Sequence, residues 1–291
     1  MIRGIHLPLV ILFFLPLSPA NASPSSGPDI TVRPSKIGQG EVSLLTIREK
    51  GEAKPQVIWM GKKIALVNDK KNGMWSGFIG ADLTTRPGRY RLEISMADTE
   101  DPFFRAISVI SKDHGMRRLT LPREMVELDP PTLKRARAES RSVMEIFLRS
   151  DDYPLWGGRW IRPVAGGIVG RFGCRSIING MERSPHSGVD LKAAEGTPVM
   201  ASNTGTVALV ANHFFSGLSV ILDHGGGIQS MYFHLSKAFV RSGELVEKGA
   251  VLGLSGSTGR ATGPHLHFGI RLNGTRVNPI DLIELSRRLE R

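Results

Sequence analysis

The chain has 291 residues, a single cysteine and a formal net charge of +11, from 38 lysines and arginines against 27 aspartates and glutamates. One cysteine excludes an internal disulfide framework and a multi-cysteine zinc site. The length allows two domains, and the basic balance favours anionic surroundings.

Residues 1–22 read as an export signal. Arg3 supplies a short positive start, Ile5 to Leu17 is almost wholly apolar, and Ala20-Asn21-Ala22 gives a small-x-small cleavage pattern. The apolar run is shorter than the roughly 20 residues a membrane span needs, so no transmembrane segment is expected after signal cleavage. No cysteine stands near the cleavage site to carry a lipid. Export and the lack of a recognition motif argue against nucleic acid as the anionic partner. A carboxylate-rich cell wall or an anionic membrane surface suits the charge better, and simple solubility is the plainer alternative.

The fold expected from the pattern is mainly β, in three parts after the signal. Residues 23–115 read as an N-terminal β-sandwich-like domain. Its candidate strands are Val42 to Glu49, Gln56 to Met60, Lys63 to Val67, Met74 to Ile79, Arg89 to Met96 and Phe104 to Ile110, divided by turn signals such as Asn72-Gly73 and Pro87-Gly88. No chemistry-bearing motif appears there. Residues 116–155 read as a helical connector. Asp129 is a candidate N-cap, Pro130 the first helical position, and Leu133, Ala136, Ser140, Val143, Met144 and Phe147 follow at helical spacing. Residues 156–291 read as a glycine-rich, β-rich domain. Its candidate strands are Thr206 to Ala211, Ser219 to Asp223, Ile228 to His234, Val251 to Ser255 and Leu266 to Leu272. Gly225-Gly226-Gly227 suggests a hairpin turn, perched at a groove rim. The stretches from Gly196 and from Gly243 both open with G-x-x-V and run into an apolar strand, a weak internal echo that two related hairpin units would explain.

The chemistry concentrates in this last domain. In "GPHLHFGI", residues 263 to 270, the apolar Leu266, Phe268 and Ile270 alternate with His265 and His267. Residues i and i+2 of a strand share a face, so the two imidazoles project together. His186 and Asp190 are four apart in "SPHSGVDL", where Pro185 and Gly188 disfavour a helix; an extended segment also puts both on one side. His234 ends the apolar run "MYFH". Four histidines and an aspartate suit a catalytic zinc site with three protein ligands and an open position. Calcium would want more carboxylates and carbonyls. His213 and His224 lack paired spacing and are expected to stand outside the site. Cys174 is expected to be a small buried residue. Without the H-E-x-x-H glutamate, a histidine outside the metal shell can serve as base, since its unperturbed pKa is about 6.5.

These motifs resemble the lysostaphin-like, LytM-type zinc metalloendopeptidases that cut peptidoglycan. "GRFGCR" from Gly170, "HSGVDL" from His186, "YFHLS" from Tyr232, "GSTGRATGPHLHF" from Gly256 and "VNPIDLI" from Val277 stand in family order. The resemblance implies a duplicated hybrid motif for the fold, one zinc ion per chain held by His186, Asp190 and His267, and catalysis by His234 and His265. We take His265 as the base and His234 as the oxyanion stabiliser. The implied substrates are peptidoglycan stem peptides or cross-links. A Gram-negative periplasm, or the cell envelope more broadly, is the expected location, with the cross-link between D-alanine and diaminopimelate as the default bond. Two other readings stay open at this point: a non-catalytic relative that binds wall or activates an amidase, and a metallopeptidase acting on proteins or glycine bridges.

Overall fold

The computed structural model describes residues 28–48, 53–97, 99–120, 123, 126–148 and 153–290; the export signal expected over 1–22 lies outside them. The N-terminal part is a two-sheet sandwich. One sheet orders β1 (Asp29–Arg33), β3 (Val42–Arg48), β7 (Met74–Gly80) and β6 (Val67–Asp69). The other orders β2 (Lys36–Gly38), β9 (Phe103–Ile110), β8 (Gly88–Ser95), β4 (Gln56–Trp59) and β5 (Lys62–Lys63). Ile30, Leu45, Ile47, Val57, Ile79, Leu92, Ile94 and Ile107 fill the space between them. The expected strand from Lys63 to Val67 is instead the crossing between sheets. Only Lys62–Lys63 pairs in one sheet and Val67–Asp69 in the other, while Ile64 and Leu66 between them are buried in the core.

The central strands of the first sheet, β3 and β7, are largely buried on both faces. Leu45 and Ile47 point into the sandwich, whereas Val42, Leu44 and Phe78 join the core of the C-terminal part. There Phe78 packs on Trp156, ring centroids 5.4 Å apart, and Gly80 lies so near Val277 that a Cβ would come within 2.6 Å of its side chain. Asp82 adds a polar tie, accepting from Arg276 at its backbone N (2.9 Å), Nε (3.1 Å) and Nη2 (2.5 Å). Arg276 bonding holds the Asp82 carboxyl well below the usual carboxylate range, against the upward push of burial.

The connecting segment is not wholly helical. β10 (Met116–Leu119) pairs in parallel with β12 (Arg175–Ile178), which pairs antiparallel with β13 (Met181–Arg183). The helix follows as expected: α1 spans Pro130–Leu148, and Asp129 caps it by accepting from the Thr132 N–H at 2.7 Å. It docks on the C-terminal sheet. Phe147 packs against Ile221 and Met231, and the Glu139 carboxylate accepts from the Phe214 N–H at 2.8 Å.

The main C-terminal sheet orders β11 (Ile168–Gly170), β14 (Val189–Lys192), β21 (His265–Leu272), β18 (Ile228–Ala238), β17 (Gly217–Asp223), β16 (Gly205–His213) and β19 (Leu245–Val246). β15 (Pro198–Met200) pairs with β20 (Val251–Ser255), β20 also pairs with β18, and β22 (Thr275–Val277) pairs with β21. The internal echo is real in three dimensions. The first strand of each unit pairs with the second strand of the other: β15 with β20, and β19 with β16. Gly196 and Gly243, which open the two units, both have φ near +85° (83° and 88°). Their N–H groups donate to equivalent partners, the carbonyls of Ser255 and Val207.

Gly225 to Gly227 turn the β17–β18 hairpin, all at positive φ. They do not stand at a groove rim. Gly225 abuts the Tyr153 carbonyl and Gly226 the Ala65 side chain, so the hairpin meets the connector and the sandwich. Cys174 is half-buried rather than buried, with Sγ 3.6 Å from the Arg175 carbonyl oxygen. Helix α2 (Pro279–Ser286) closes the fold; Asn278 accepts from the Ile280 N–H, and Pro279 occupies the first turn. No helix among the described residues is long and apolar enough to cross a membrane.

Candidate metal centre and its groove

The strand carrying the two histidines lies between β14 and β18. Leu266, Phe268 and Ile270 are fully buried on one face. On the other face, register sets Asp190 directly opposite His267 and Lys192 opposite His265. His267 is itself buried, at 7% exposure, which excludes a solvent-facing polar strand. Phe233, opposite His267 on β18, stacks on its ring with centroids 5.3 Å apart and planes 9° from parallel.

His186 comes from the loop before β14. Its Nε2 lies 2.9 Å from His267 Nδ1 and 3.0 Å from Asp190 Oδ1, and His267 Nδ1 lies 3.0 Å from the same oxygen. The three atoms form a nearly equilateral triangle. A tetrahedral ion bonded at about 2.0–2.1 Å spaces its ligand atoms about 3.3 Å apart, so the triangle is close to one face of such a shell. The donor set, two imidazoles and a carboxylate, suits a borderline divalent metal. His186 Nδ1 donates to the Arg171 carbonyl at 2.9 Å, leaving Nε2 free to bind. Burial would raise the Asp190 carboxyl, but the close approach of the His186 and His267 rings holds it well below the usual carboxylate range. Desolvation lowers the His267 pKa despite its bond to Asp190. Both groups therefore favour their unprotonated, ligand-competent forms.

The other two histidines flank this triangle. The His234 and His265 rings are 4.8 Å apart, and His234 is 6.2 Å from His267. His234 sits where β18 leaves β21 and passes to β20, since Phe233 is the last residue paired to β21 and Leu235 pairs with Ser255. Its φ is +63°, an uncommon left-handed conformation for a non-glycine residue. The kink aims the ring into the groove. His234 Nδ1 donates to the Thr258 carbonyl at 2.8 Å and His265 Nδ1 to the Gly263 carbonyl at 2.8 Å. Carbonyls only accept, so both neutral rings keep an unprotonated Nε2. Burial lowers the His234 pKa to about 4. His265 Nε2 lies 3.8 Å from Asp190 Oδ1. The glycine-rich stretch before His265 thus holds both rings.

All five residues open onto one cavity of about 390 Å³. Its walls include residues that the motif reading did not find. Arg117 and Leu119 come from β10, Phe215 and Ser216 from the β16–β17 turn, Arg183 from β13 and Arg260 from the loop before β21. No local spacing marks them, because they converge only through sheet pairing. His224 is outside the site as expected. It is fully buried, donating from Nδ1 to the Thr204 carbonyl (2.7 Å) with Ser230 Oγ 2.7 Å from Nε2. His213 is the last residue of β16, before the turn that lines the cavity, and does not itself line it.

Comparison with known proteins agrees with this geometry. A family model described as peptidase family M23 matches residues 184–279. A crystal structure described as "putative peptidase M23" from Pseudomonas aeruginosa aligns over 85% of this chain and 95% of that one, with 33% identity and a TM-score of 0.66. Peptidoglycan DD-endopeptidase ShyA of Vibrio cholerae is 44% identical over 95 residues, 33% of this chain and 22% of that protein. An "uncharacterized metalloprotease" of Haemophilus influenzae is 48% identical over 97 residues, 33% of this chain and 20% of that protein. The match thus spans about a fifth of the length of these two curated relatives.

Proposed function

Because this chain belongs to peptidase family M23, we propose that it is an exported zinc metalloendopeptidase that hydrolyses peptide cross-links of bacterial peptidoglycan, acting as a D,D-endopeptidase in the cell envelope. The observation that carries the reading is the triangle of His186 Nε2, Asp190 Oδ1 and His267 Nδ1, with edges of 2.9–3.0 Å, beside two further imidazoles in one groove. These three residues would hold one zinc ion. When bound, zinc supplies Lewis-acid polarisation of a carbonyl and acidifies water to a pKa of about 7.

The other steps belong to the chain's own groups. His265 Nε2, 3.8 Å from Asp190 Oδ1, takes the proton of the attacking water. His234 faces the developing oxyanion. With Nδ1 committed to Thr258, it donates only after gaining a proton on Nε2. Burial disfavours that cation in the free groove, whereas an adjacent negative charge favours it. His265 then returns a proton to the leaving amine. The test is digestion of purified cross-linked muropeptides by the mature chain, with products identified by mass spectrometry. New D-alanine carboxyl termini at the cross-link support the reading; intact dimers, or cleavage at another bond, contradict it.

A further inference from the structure

One wall of the groove carries a charge that the hydrolytic chemistry does not use. In the β10–β12–β13 sheet, Arg117 pairs with Ser176 and Ser176 with Arg183. The three side chains share the face that lines the cavity. Arg117 Nε donates to Ser176 Oγ at 2.9 Å. Arg183 buries its Nε and Nη2 atoms with no hydrogen-bond partner among the described residues. Arg260, also lining the cavity, lays its guanidinium 4.3 Å over the Phe215 ring. Burial, then the nearby charge of Arg183, lowers its pKa. Among the described residues none of these three arginines forms an ion pair. Asp190, the one carboxylate among the described residues that line the cavity, is engaged by His186 and His267.

Buried guanidinium donors without partners are costly, and like charges around one cavity add to the cost. An incoming anion removes both penalties. The planar fork of arginine suits a carboxylate, which it can grip through two parallel hydrogen bonds. Resting on the cross-link endopeptidase reading above, we propose that Arg183, flanked by Arg117 and Arg260, is a carboxylate-binding subsite whose ligand is the free carboxylate beside the scissile amide. Diaminopimelate has two α-carbons, each bearing an amine and a carboxylate. The α-carbon that supplies the cross-linking nitrogen therefore keeps its own carboxylate, two bonds from that nitrogen. A glycine bridge offers no such group, so the subsite selects for the diaminopimelate cross-link and against polyglycine.

The test uses the zinc-loaded mature protein and matched pairs of peptides. One member has the carboxylate on that carbon free, the other has it as a carboxamide. Cross-linked dimers report kcat/KM, and uncross-linked stem peptides report binding by calorimetry. The subsite predicts that amidation lowers both by about 10–100-fold, the range expected for charge-assisted hydrogen bonds. In Arg183→Gln and in Arg260→Gln, each checked for zinc content and circular dichroism, the preference should shrink to about twofold or less. Equal binding of free and amidated peptides to the unaltered protein overturns the proposal without needing any variant. So does a preference that survives in both variants, or sensitivity confined to amidation of the stem-peptide glutamate. If neither dimer is cut but binding discriminates, the endopeptidase reading fails and the subsite stands. If both dimers are cut alike and both peptides bound alike, the reverse holds.

Discussion

Gly170 tests whether the proposed metal site is built by strand packing as well as by the three residues proposed to hold the ion. It is paired with Asp190 across β11 and β14, and an added Cβ would meet Asp190 Oδ2 at 2.1 Å, Cγ at 2.7 Å and Cβ at 2.9 Å. Ordinary contacts begin near 3.4 Å, so the carboxylate would have to retreat by more than 1 Å. Rotating the Asp190 side chain cannot relieve the clash at its own Cβ, and the two strands must also separate. Oδ1 would then leave the triangle it shares with His186 and His267. Displacing a ligand's support typically costs about 10–100-fold in metal affinity, and Gly170→Ala is expected to lose at least that much. Zinc affinity is measured by competition with a chromophoric chelator. Gly167→Ala serves as the control, because a Cβ there meets nothing within 4 Å. If Gly170→Ala binds zinc as tightly as the control, the packing argument is wrong.

Three further outcomes are expected of the same structure. His234→Ala and His265→Ala should keep near-stoichiometric zinc while activity falls about 10²–10⁴-fold, whereas His267→Ala should lose both; zinc lost from His265→Ala but retained by His267→Ala reverses the assignment. Burial lowers the His224 pKa from 6.5 to about 4, so its contribution to stability is present above pH 6.5 and is lost as pH falls toward 4, by about 3 kcal/mol at 1.36 kcal/mol per unit. Asp281, raised by burial to about 6, titrates with the opposite sign in that window, so the measure is the difference between the native protein and His224→Gln in urea unfolding at pH 7 and pH 4.5; identical pH slopes refute it. Asp82→Ala should cost about 1–3 kcal/mol by leaving Arg276 half-buried and unpaired, and an unchanged urea midpoint would show that the tie between the two parts contributes nothing.

Local patterns were legible in the sequence, and contacts distant in the chain were not. Helix α1 starts where expected because Asp129 and Pro130 act within one turn. The alternation around His265 and His267 determined which side chains share a face, and the structure keeps that division. His186 and Asp190 also converge, although one stands in a loop and the other on a strand. The segment from Lys63 to Val67 misled because burial of Ile64 and Leu66 at a sheet crossing looks the same in sequence as burial in a strand. β10 escaped notice because Met116–Leu119, with two adjacent arginines, lacks an apolar alternation. It is a strand only because β12 offers it a partner. Val42, Leu44, Leu45 and Ile47 make β3 apolar on both faces, and such a strand has a second surface to cover, here the C-terminal part. α2 was also readable, from Asn278 and Pro279 followed by the acidic first-turn residue Asp281.

The central claim is that one metal ion, held by His186, Asp190 and His267, is required for cross-link cleavage. The most direct measurement is to strip the mature protein with a chelator, remove the chelator, and add zinc back in steps while following hydrolysis of a cross-linked muropeptide dimer. The account predicts no hydrolysis at zero zinc, a linear rise, and a plateau at one equivalent per chain. Full activity in verified metal-free protein, or no activity at any zinc level, would contradict it.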